Sequence, residues 1–305
     1  MEDVYDVIII GAGAAGLTAG IYSSRARLST LILNEGVVGG QMVLTNEIAN
    51  YPGVELTHGY ALAGIMKKQA REFGAKIKSN IKVKKYVLSG EIKRIVLEDG
   101  REFSSRSVIL APGGKPRPLN IPGEETFKGS GISYCATCDG DFFTGKEIIV
   151  VGGGNSALEE AVALTSYAKK VTIVHQFNHF QAFQHAVDEA TRNPNVDFIM
   201  ESELRTFTGN GSLEEVSIEH LPTGNHTNMK INGVFVFVGY MPNTSNLQGI
   251  IALNARKEIV VDENLMTNIP GVFAAGDCIV KKYRQVTTAV ADGTIASLSA
   301  AEFLR

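Results

Sequence analysis

Two stretches of the chain show the same succession of apolar and polar positions. A short run at residues 6–10, apolar from Val7 onward, leads into a glycine-rich segment at 11–16, a helix-like segment to about residue 27 and a second apolar run at 31–33. The same order recurs over residues 148–174. Short apolar runs are typical of strands buried in a parallel sheet, and strands that alternate with helices indicate βαβ units. The pattern therefore predicts an α/β protein with two Rossmann-like dinucleotide-binding domains.

Proline and glycine accumulate at residues 111–118 and 239–243, which predicts domain boundaries at these two places. The second glycine-rich unit then occupies a domain of residues 116–242. The segment 245–305 is most simply returned to the first domain. We therefore expect a discontinuous first domain, residues 1–115 with 245–305, and a second domain inserted into it.

The composition is that of an ordinary globular protein of 305 residues, with 44% hydrophobic and 20% charged residues. This length favours two domains over one core. A net charge of -3 gives no electrostatic reason to expect binding to nucleic acid or to an anionic membrane.

The apolar stretch at residues 7–22 differs from a signal peptide because its N-terminal flank is acidic and because glycines interrupt it. Acidic residues precede it (Glu2, Asp3 and Asp6), where a signal peptide carries positive charge. The stretch is better explained as a buried strand followed by a helix. We expect a cytoplasmic protein.

Gly11, Gly13 and Gly16 form a G-x-G-x-x-G motif between a predicted strand and a predicted helix, which is the context that makes this motif credible. The glycines allow a tight turn and close approach of the backbone to a pyrophosphate, and the helix N-terminus attracts the phosphates. An acidic residue about 20 positions further on commonly binds the ribose, and Glu35 fits that place. This segment predicts a dinucleotide site.

The second motif, Gly152, Gly154 and Ala157, has the same context but lacks the expected partners. The segment 174–181, at the end of the next strand, contains neither an acidic residue for an NAD ribose nor an arginine for the 2′-phosphate of NADP. Two explanations stay open. The domain kept its fold for packing after losing the ligand, or other residues bind a nicotinamide nucleotide.

The pair Cys135 and Cys138 lies directly before the second motif, and three cysteines are too few for a disulfide-stabilised secreted scaffold. C-x-x-C spacing lets two thiols close a small disulfide and commonly lowers the pKa of one of them. Asp139 follows and could carry a proton during exchange. We expect a redox dithiol; metal binding would need further ligands, and an incidental pair is a third explanation. Cys278 is expected to be a buried small residue, with no redox partner in the sequence.

Together these segments resemble the low-molecular-weight thioredoxin reductases over nearly the whole chain. The matching segments are 11–16, 39–41, 50–53, 135–139, 152–157, 271–277 and 284–285. The resemblance implies the two-domain flavoprotein disulfide reductase fold, with FAD on the first motif, thioredoxin as the partner and a homodimer as the assembly. No metal is implied.

The same resemblance implies roles for individual residues. Cys138 would face the flavin and form the charge-transfer thiolate, Cys135 would attack the thioredoxin disulfide, and Asp139 would act as the acid. Asp277 would lie at the ribityl or phosphate region of FAD. The residues expected to bind FAD are Gly11, Gly13, Ala14, Ala15, Gly16, Asn34, Glu35, Gly40, Gln41, Asn50, Ala111, Gly113, Gly276, Asp277, Arg284 and Gln285.

The chain departs from the family at the nicotinamide nucleotide. Typical members read His-Arg-Arg-x-x-x-Arg-Ala after the strand of the second domain, and the arginines bind NADPH. This chain has Gln176, Phe177 and Gln181 at those positions. In this it is similar to the pyridine-nucleotide-independent branch, the ferredoxin-dependent flavin thioredoxin reductases. We therefore expect ferredoxin as the electron donor. NADPH, NADH and a deazaflavin are the alternatives, and a redox-sensing flavoprotein without turnover is a further one.

Overall fold

Strands and helices alternate along most of the described chain, which comprises residues 4–44, 48 and 50–305 of a computed structural model. Glu2 and Asp3 of the acidic flank lie outside the described residues. The strands are β1 (Val4–Ile10), β2 (Thr30–Leu33), β3 (Lys76–Lys78), β4 (Val83–Val87), β5 (Lys93–Leu97), β6 (Glu102–Leu110), β7 (Gly114–Pro116), β8 (Ile132–Ser133), β9 (Glu147–Val151), β10 (Lys170–Val174), β11 (Val196–Ile199), β12 (Ser202–Gly209), β13 (Leu213–His220), β14 (Asn225–Lys230), β15 (Gly233–Val236), β16 (Tyr240–Pro242) and β17 (Val272–Ala274). The helices are α1 (Ala14–Arg25), α2 (Gly59–Glu72), α3 (Glu124–Phe127), α4 (Ala136–Asp139), α5 (Asn155–Leu164), α6 (Gln184–Arg192) and α7 (Val286–Phe303).

The chain divides into two compact units. The first consists of Met1–Lys115 with Met241–Arg305, and the second of Pro116–Tyr240. Strands β7 and β16 lie where the chain passes from one unit to the other, and they pair with each other. The first unit contains a seven-stranded sheet, the second contains a five-stranded and a three-stranded sheet, and each unit has its own buried core.

The first unit is built on a sheet with the order β3-β2-β1-β6-β5-β4, and β17 pairs with the second half of β6. Strands β3, β2, β1, β6 and β17 are parallel, whereas β4 and β5 extend the sheet in antiparallel fashion. The two predicted apolar runs are β1 and β2, and residues 7–9 and 30–33 are buried. Because parallel strands end at the same edge, the segments that follow β1, β2, β6 and β17 are brought together.

Helix α1 packs against α7, the last helix of the chain. A Cβ added to Gly293 of α7 would lie 2.2 Å from the main-chain oxygen of Ala15 in α1, so glycine is required for this close approach. The contact fixes the C-terminal segment beside the first glycine-rich segment, within the same unit.

The second unit has a parallel sheet with the order β11-β10-β9-β15-β8. Helix α5 begins at Asn155, directly after the second glycine motif. One buried cluster contains Leu158 and Ala161 of α5, and a second contains Leu204, Phe207 and Val216 of the antiparallel strands β12 and β13.

Both predicted strand–glycine–helix–strand units are confirmed. Helices α1 and α5 end at Arg25 and Leu164, slightly before the predicted ends at about 27 and 167. Within the described ranges, none of the helices has the length and apolar character needed to cross a bilayer.

Candidate active site

Cys135 and Cys138 form a disulfide at the start of α4 in the second unit. Their Cα atoms are 5.3 Å apart. Cys135 precedes the first residue of the helical turn, and its carbonyl oxygen accepts hydrogen bonds from the N–H groups of Cys138 and Asp139, at 3.3 and 3.2 Å. Both cysteines are partly exposed. The turn therefore holds the two sulfurs together while leaving them accessible to another molecule.

The Asp139 side chain is hydrogen-bonded to Ser133, the last residue of β8. The Ser133 hydroxyl donates to Asp139 Oδ2 at 2.5 Å and accepts from the Cys135 N–H at 3.1 Å. Burial raises the pKa of Asp139, and the negative charge of Asp141 raises it further, while the bond from Ser133 opposes both effects. A carboxyl with a raised pKa next to a dithiol is suited to give and take a proton. The sequence indicates Asp139 but not Ser133, whose only sequence signal is a hydroxyl residue two positions before the first cysteine.

Glu124 fixes the segment that leads to the disulfide. Its buried carboxylate accepts hydrogen bonds from the N–H groups of Leu119 and Asn120, at 2.8 and 2.6 Å, and from the Tyr134 hydroxyl at 2.7 Å. Burial and this carboxylate raise the Tyr134 pKa, so the phenol stays protonated. Tyr134 is thus anchored directly before Cys135.

The glycines of the first motif make close contacts at the carboxyl edge of the first sheet. A Cβ on Gly11 would lie 2.1 Å from the Ala111 oxygen, and one on Gly16 would lie 1.9 Å from the Gly11 oxygen. The Cα atom of Gly13 would be 3.0 Å from a Cβ on Gly40. Five of the residues expected to bind a cofactor (Gly11, Gly13, Gly16, Gly40 and Ala111) are therefore brought into one cradle that side chains would fill.

The loop after β17 meets the start of α1. Gly276 has a positive φ of 84°, and a Cβ there would lie 2.8 Å from the Ala15 Cβ. The Gly276 N–H donates to Asp292 Oδ2 at 3.1 Å, and Asp292 is also paired with Lys281. The sequence indicates neither Asp292 nor Lys281, because the bond depends on how α7 lies against this loop.

Asn34 and Glu35 follow β2 and differ in environment. The buried Asn34 side chain accepts from the Ala12 N–H at 2.9 Å and donates to the Gly36 oxygen at 2.6 Å. It thus fastens the first glycine segment to the next loop. Glu35 is exposed, at the place that the spacing predicted.

Residues from distant parts of the sequence meet at the start of α7. Asn50 Nδ2 donates to Gln285 Oε1 at 3.4 Å, and Gln285 is the N-cap residue of α7 in a capping box. Arg284 donates to the Asp277 carbonyl oxygen at 3.4 Å and forms an ion pair with Glu258, a buried residue that no sequence motif indicates. The structure thus brings together four of the expected residues.

The remaining expected residues also lie at this edge. Ala14 is the first residue of α1, Gln41 is in the 3₁₀ turn Gly40–Leu44, and Gly113 follows β6 with a φ of 62°. The cradle of glycines, the N-terminus of α1 and the polar groups around Gln285 are the features that FAD requires, so the residues present fit that cofactor. Cys278 is buried, its thiol lies 3.7 Å from the Leu110 carbonyl oxygen at the end of β6, and burial raises its pKa to about 12.

The second glycine motif is covered by the loop that follows β10. The Gln181 N–H donates to the Gly153 oxygen at 2.7 Å, and the Phe183 N–H donates to the Asn155 side chain at 2.7 Å. The side chains of Gln176, Phe177 and Gln181 are exposed. Neither residues 147–168 nor residues 171–191 contain a lysine or an arginine. This face therefore offers no cationic side chain from the motif, from α5 or from the covering loop.

Within the described residues, no group of three or more histidine, cysteine or acidic side chains is placed to hold a metal ion.

Comparisons with known proteins cover the whole chain. The family model for pyridine nucleotide-disulphide oxidoreductases matches residues 5–293. A thioredoxin reductase of Peptoclostridium acidaminophilum is 44% identical over 311 aligned positions, which cover 100% of this chain and 98% of the relative. A Clostridium pasteurianum relative, described as a 34.2 kDa protein in a rubredoxin operon, is 44% identical over 99% of this chain and 98% of its own length. The crystal structure of the Streptococcus pyogenes MGAS5005 thioredoxin reductase is 40% identical, with a TM-score of 0.92 over 100% of this chain and 99% of that one.

Proposed function

Since the chain belongs to the pyridine nucleotide-disulphide oxidoreductases, and among them to the low-molecular-weight thioredoxin reductases, we propose that it is an FAD-dependent enzyme that reduces thioredoxin through Cys135 and Cys138. We further propose that reduced ferredoxin is its electron donor. The observation that carries the reduction step is the disulfide with a protonatable Asp139 beside it. When bound, FAD would supply a centre that accepts electrons singly and passes them on in pairs.

The exchange with thioredoxin needs a thiolate and a proton carrier. The Cys135 thiolate attacks one sulfur of the thioredoxin disulfide, whose S–S bond breaks, and the leaving sulfur takes the proton of Asp139. The Asp139 carboxylate then takes the proton of the Cys138 thiol. The Cys138 thiolate attacks Cys135 Sγ, and the second thioredoxin sulfur leaves with that proton. Thioredoxin gains two electrons and two protons, and the Cys135–Cys138 disulfide is restored.

The residues that would hold FAD are the sixteen expected ones at the carboxyl edge of the first sheet. Gly11, Gly13 and the N-terminus of α1 would take the pyrophosphate, because glycines allow close approach and the helix end favours negative charge. Glu35 would bind the ribose hydroxyls. Asn50 and Gln285, which contact each other, would lie along the ring.

The proposed donor is supported by the absence of lysine and arginine around the second glycine motif and by the loop after β10, which covers this motif. The 2′-phosphate of NADPH would find no lysine or arginine in residues 147–168 or 171–191, and would forgo charge-assisted bonds of about 1.5–3 kcal/mol each. The segment 175–187 also has no acidic residue to bind the ribose of NADH. Both observations favour a donor that does not bind at this motif.

Anaerobic reduction of the flavin would test the donor. The FAD-loaded protein is mixed with reduced ferredoxin, NADPH, NADH or a reduced deazaflavin, and the flavin absorbance is followed. We expect fast bleaching by ferredoxin and slow or no bleaching by either nucleotide at submillimolar concentration. Equal rates with NADPH or NADH would overturn the ferredoxin proposal in favour of the conventional donor, and bleaching by the deazaflavin alone would identify a third donor.

The matched control for the reductase activity is Cys135→Ser. This variant keeps the flavin and the donor reaction but lacks the attacking sulfur, so thioredoxin reduction should stop while flavin bleaching continues. If cells that carry this variant keep the response that the wild-type protein supports, a redox-sensing flavoprotein without turnover would be favoured instead.

We also propose that the enzyme is a homodimer formed by the first unit. Helix α1 packs against α2 and α7, and these three helices carry exposed apolar side chains, Tyr22, Ile65, Ile295 and Leu298. Such a group of apolar side chains fits a second copy of the chain. Sedimentation equilibrium should give twice the chain mass, and Ile65→Glu with Leu298→Glu should give the single-chain mass.

A further inference from the structure

Ser133 joins the main chain of Cys135 to the side chain of Asp139. It ends β8 and is paired in the parallel sheet with Phe235 of β15. Its side chain is buried, and its Oγ accepts a hydrogen bond from the Cys135 N–H at 3.1 Å. The hydroxyl therefore ties the first cysteine of the disulfide to the sheet of the second unit.

The single proton of this hydroxyl has two acceptors within reach. Asp139 Oδ2 lies 2.5 Å from Ser133 Oγ, whereas the Cys135 carbonyl oxygen lies 3.3 Å away. A carboxylate oxygen at the shorter distance makes the stronger, charge-assisted bond. The hydroxyl proton therefore points toward Asp139, while Oγ accepts the hydrogen bond from the Cys135 N–H.

We infer that Ser133 is a positioning residue for thiol–disulfide exchange, which holds the Asp139 carboxyl and the Cys135 main chain on one hydrogen-bonded bridge. This inference rests on the proposed function of the cysteine pair as an exchanging dithiol. Ser133 does not touch the partner's sulfur, and it acts through the proton carrier Asp139.

The groups around Asp139 show how the hydrogen bond from Ser133 changes the Asp139 pKa. Burial and the Asp141 charge raise the Asp139 pKa, and the Ser133 hydroxyl lowers it by stabilising the carboxylate. Helix α5, which packs against α4, carries Glu159 and Glu160, and neither contributes to this shift. Removing the Ser133 donor leaves the other effects unopposed, so the Asp139 pKa rises and its proton points less well toward the leaving sulfur.

The test compares Ser133→Ala, Ser133→Thr and Ser133→Val in the full-length, FAD-loaded protein. Threonine and valine have nearly the same volume, so the difference between these two variants isolates the hydroxyl. Each protein is reduced chemically and desalted without oxygen, which removes the electron donor from the experiment. Exchange rates are then measured from about pH 5 to about pH 9 with hydroxyethyl disulfide, with dithiobis(nitrobenzoate) and with oxidised thioredoxin.

The two small disulfides differ in their need for a proton. An alkyl thiolate leaves slowly without one, whereas the aromatic thiolate is a good leaving group by itself. With hydroxyethyl disulfide, the rate should fall as pH rises through the Asp139 pKa. We expect Ser133→Ala and Ser133→Val to lower this rate several-fold and to move the fall upward by about one pH unit, the equivalent of one charge-assisted hydrogen bond. Ser133→Thr should restore the wild-type rate and the wild-type position of the fall on the pH scale. With the aromatic disulfide, the rates of all three variants should differ from the wild-type rate by less than about twofold.

Three results would overturn the inference. They are an unchanged pH profile in Ser133→Val, equal slowing with both small disulfides, and an effect of Ser133→Ala that persists in the Asp139→Asn background. The thioredoxin arm tests the proposed function separately. If the wild-type protein exchanges with the small disulfides but not with thioredoxin, the proposed substrate is wrong, while the small-disulfide comparison still decides the role of Ser133.

Discussion

The imidazole of His175 lies directly against the α-carbon of Gly153, where an added Cβ would stand 2.3 Å from the ring. His175 is buried, and burial lowers its pKa, so the ring is neutral at about pH 7. Its Nε2 is hydrogen-bonded to the His179 carbonyl oxygen at 3.1 Å, and the ring stacks on Phe180. Glycine at position 153 is thus required by packing alone, independently of any nucleotide.

The His175 contact predicts different tolerance at two adjacent glycines. Gly153→Ala forces the ring or the loop to move and should lower the free energy of unfolding by about 1–3 kcal/mol. Gly154→Ala is the matched control, because its Cβ would meet only the Gln181 oxygen, at 3.9 Å, and its φ of −91° suits alanine. Urea unfolding of both variants measures the difference. Equal free energies of unfolding for the two variants would show that the contact between His175 and Gly153 does not stabilise the second glycine motif.

Arginines placed in the covering loop should create affinity for NADPH. We expect Gln176→Arg, Phe177→Arg and Gln181→Arg together to lower the Kd for NADPH, by about 10- to 100-fold for each ion pair formed with the 2′-phosphate. NADH lacks this phosphate and is the control ligand. Calorimetric titration at low and high salt measures both, and the gain should weaken with salt. An equal gain in affinity for NADH would mean that the arginines do not act through the 2′-phosphate.

Asp139→Asn should stabilise the oxidised protein at neutral pH while abolishing efficient exchange. The folded pKa of Asp139 is raised above its unfolded value of about 3.9, so the ionised form disfavours folding. Stability from this group is present below that value and is lost as pH rises through the folded pKa. The gain in unfolding free energy from Asp139→Asn should therefore appear at about pH 7 and vanish in acid below about pH 4. Denaturant unfolding of both proteins at these two pH values measures it. An equal gain in unfolding free energy at both pH values would contradict the raised pKa of Asp139.

Asp292 should hold the loop after β17, since it accepts from the Gly276 N–H and pairs with Lys281. The two side chains are only 15% and 12% exposed, so Asp292→Ala leaves a nearly buried ammonium unpaired, at a cost of about 2–4 kcal/mol. Adding Lys281→Met should recover part of this loss. Thermal unfolding and the rate of FAD release measure the effect. Glu72→Ala, which removes the exposed pair with Lys68, is the control and should change stability by less than about 1 kcal/mol.

The strand–glycine–helix units could be predicted because their causes are local. Apolar runs such as 7–10 and 148–151, each followed by a glycine-rich turn, favour buried strands, and Gly11 and Gly152 permit turns with φ of 102° and 137°. The family resemblance then supplied candidate residues at known motifs, and its ferredoxin-dependent branch stays a prediction, as do the individual site roles.

The polar contacts that support the site were not predictable in this way. Glu258 and Arg284 are separated by 26 positions, and Asp292 and Gly276 by 16, so no local pattern announces either pairing. Ser133 is close to Asp139 in sequence, but only the strand direction of β8 and the turn at Cys135 point its hydroxyl at that carboxyl.

Residue type and spacing alone are enough to establish two glycine-turn units, a C-x-x-C pair with an adjacent acid, and the lack of cations after the second motif. The three-dimensional fold is needed to show that His175 packs on Gly153, that Asp292 holds Gly276 and that Ser133 bridges Cys135 to Asp139. Such contacts require separate elements to meet at about 3 Å with the right orientation, and that condition is set by packing of the whole unit.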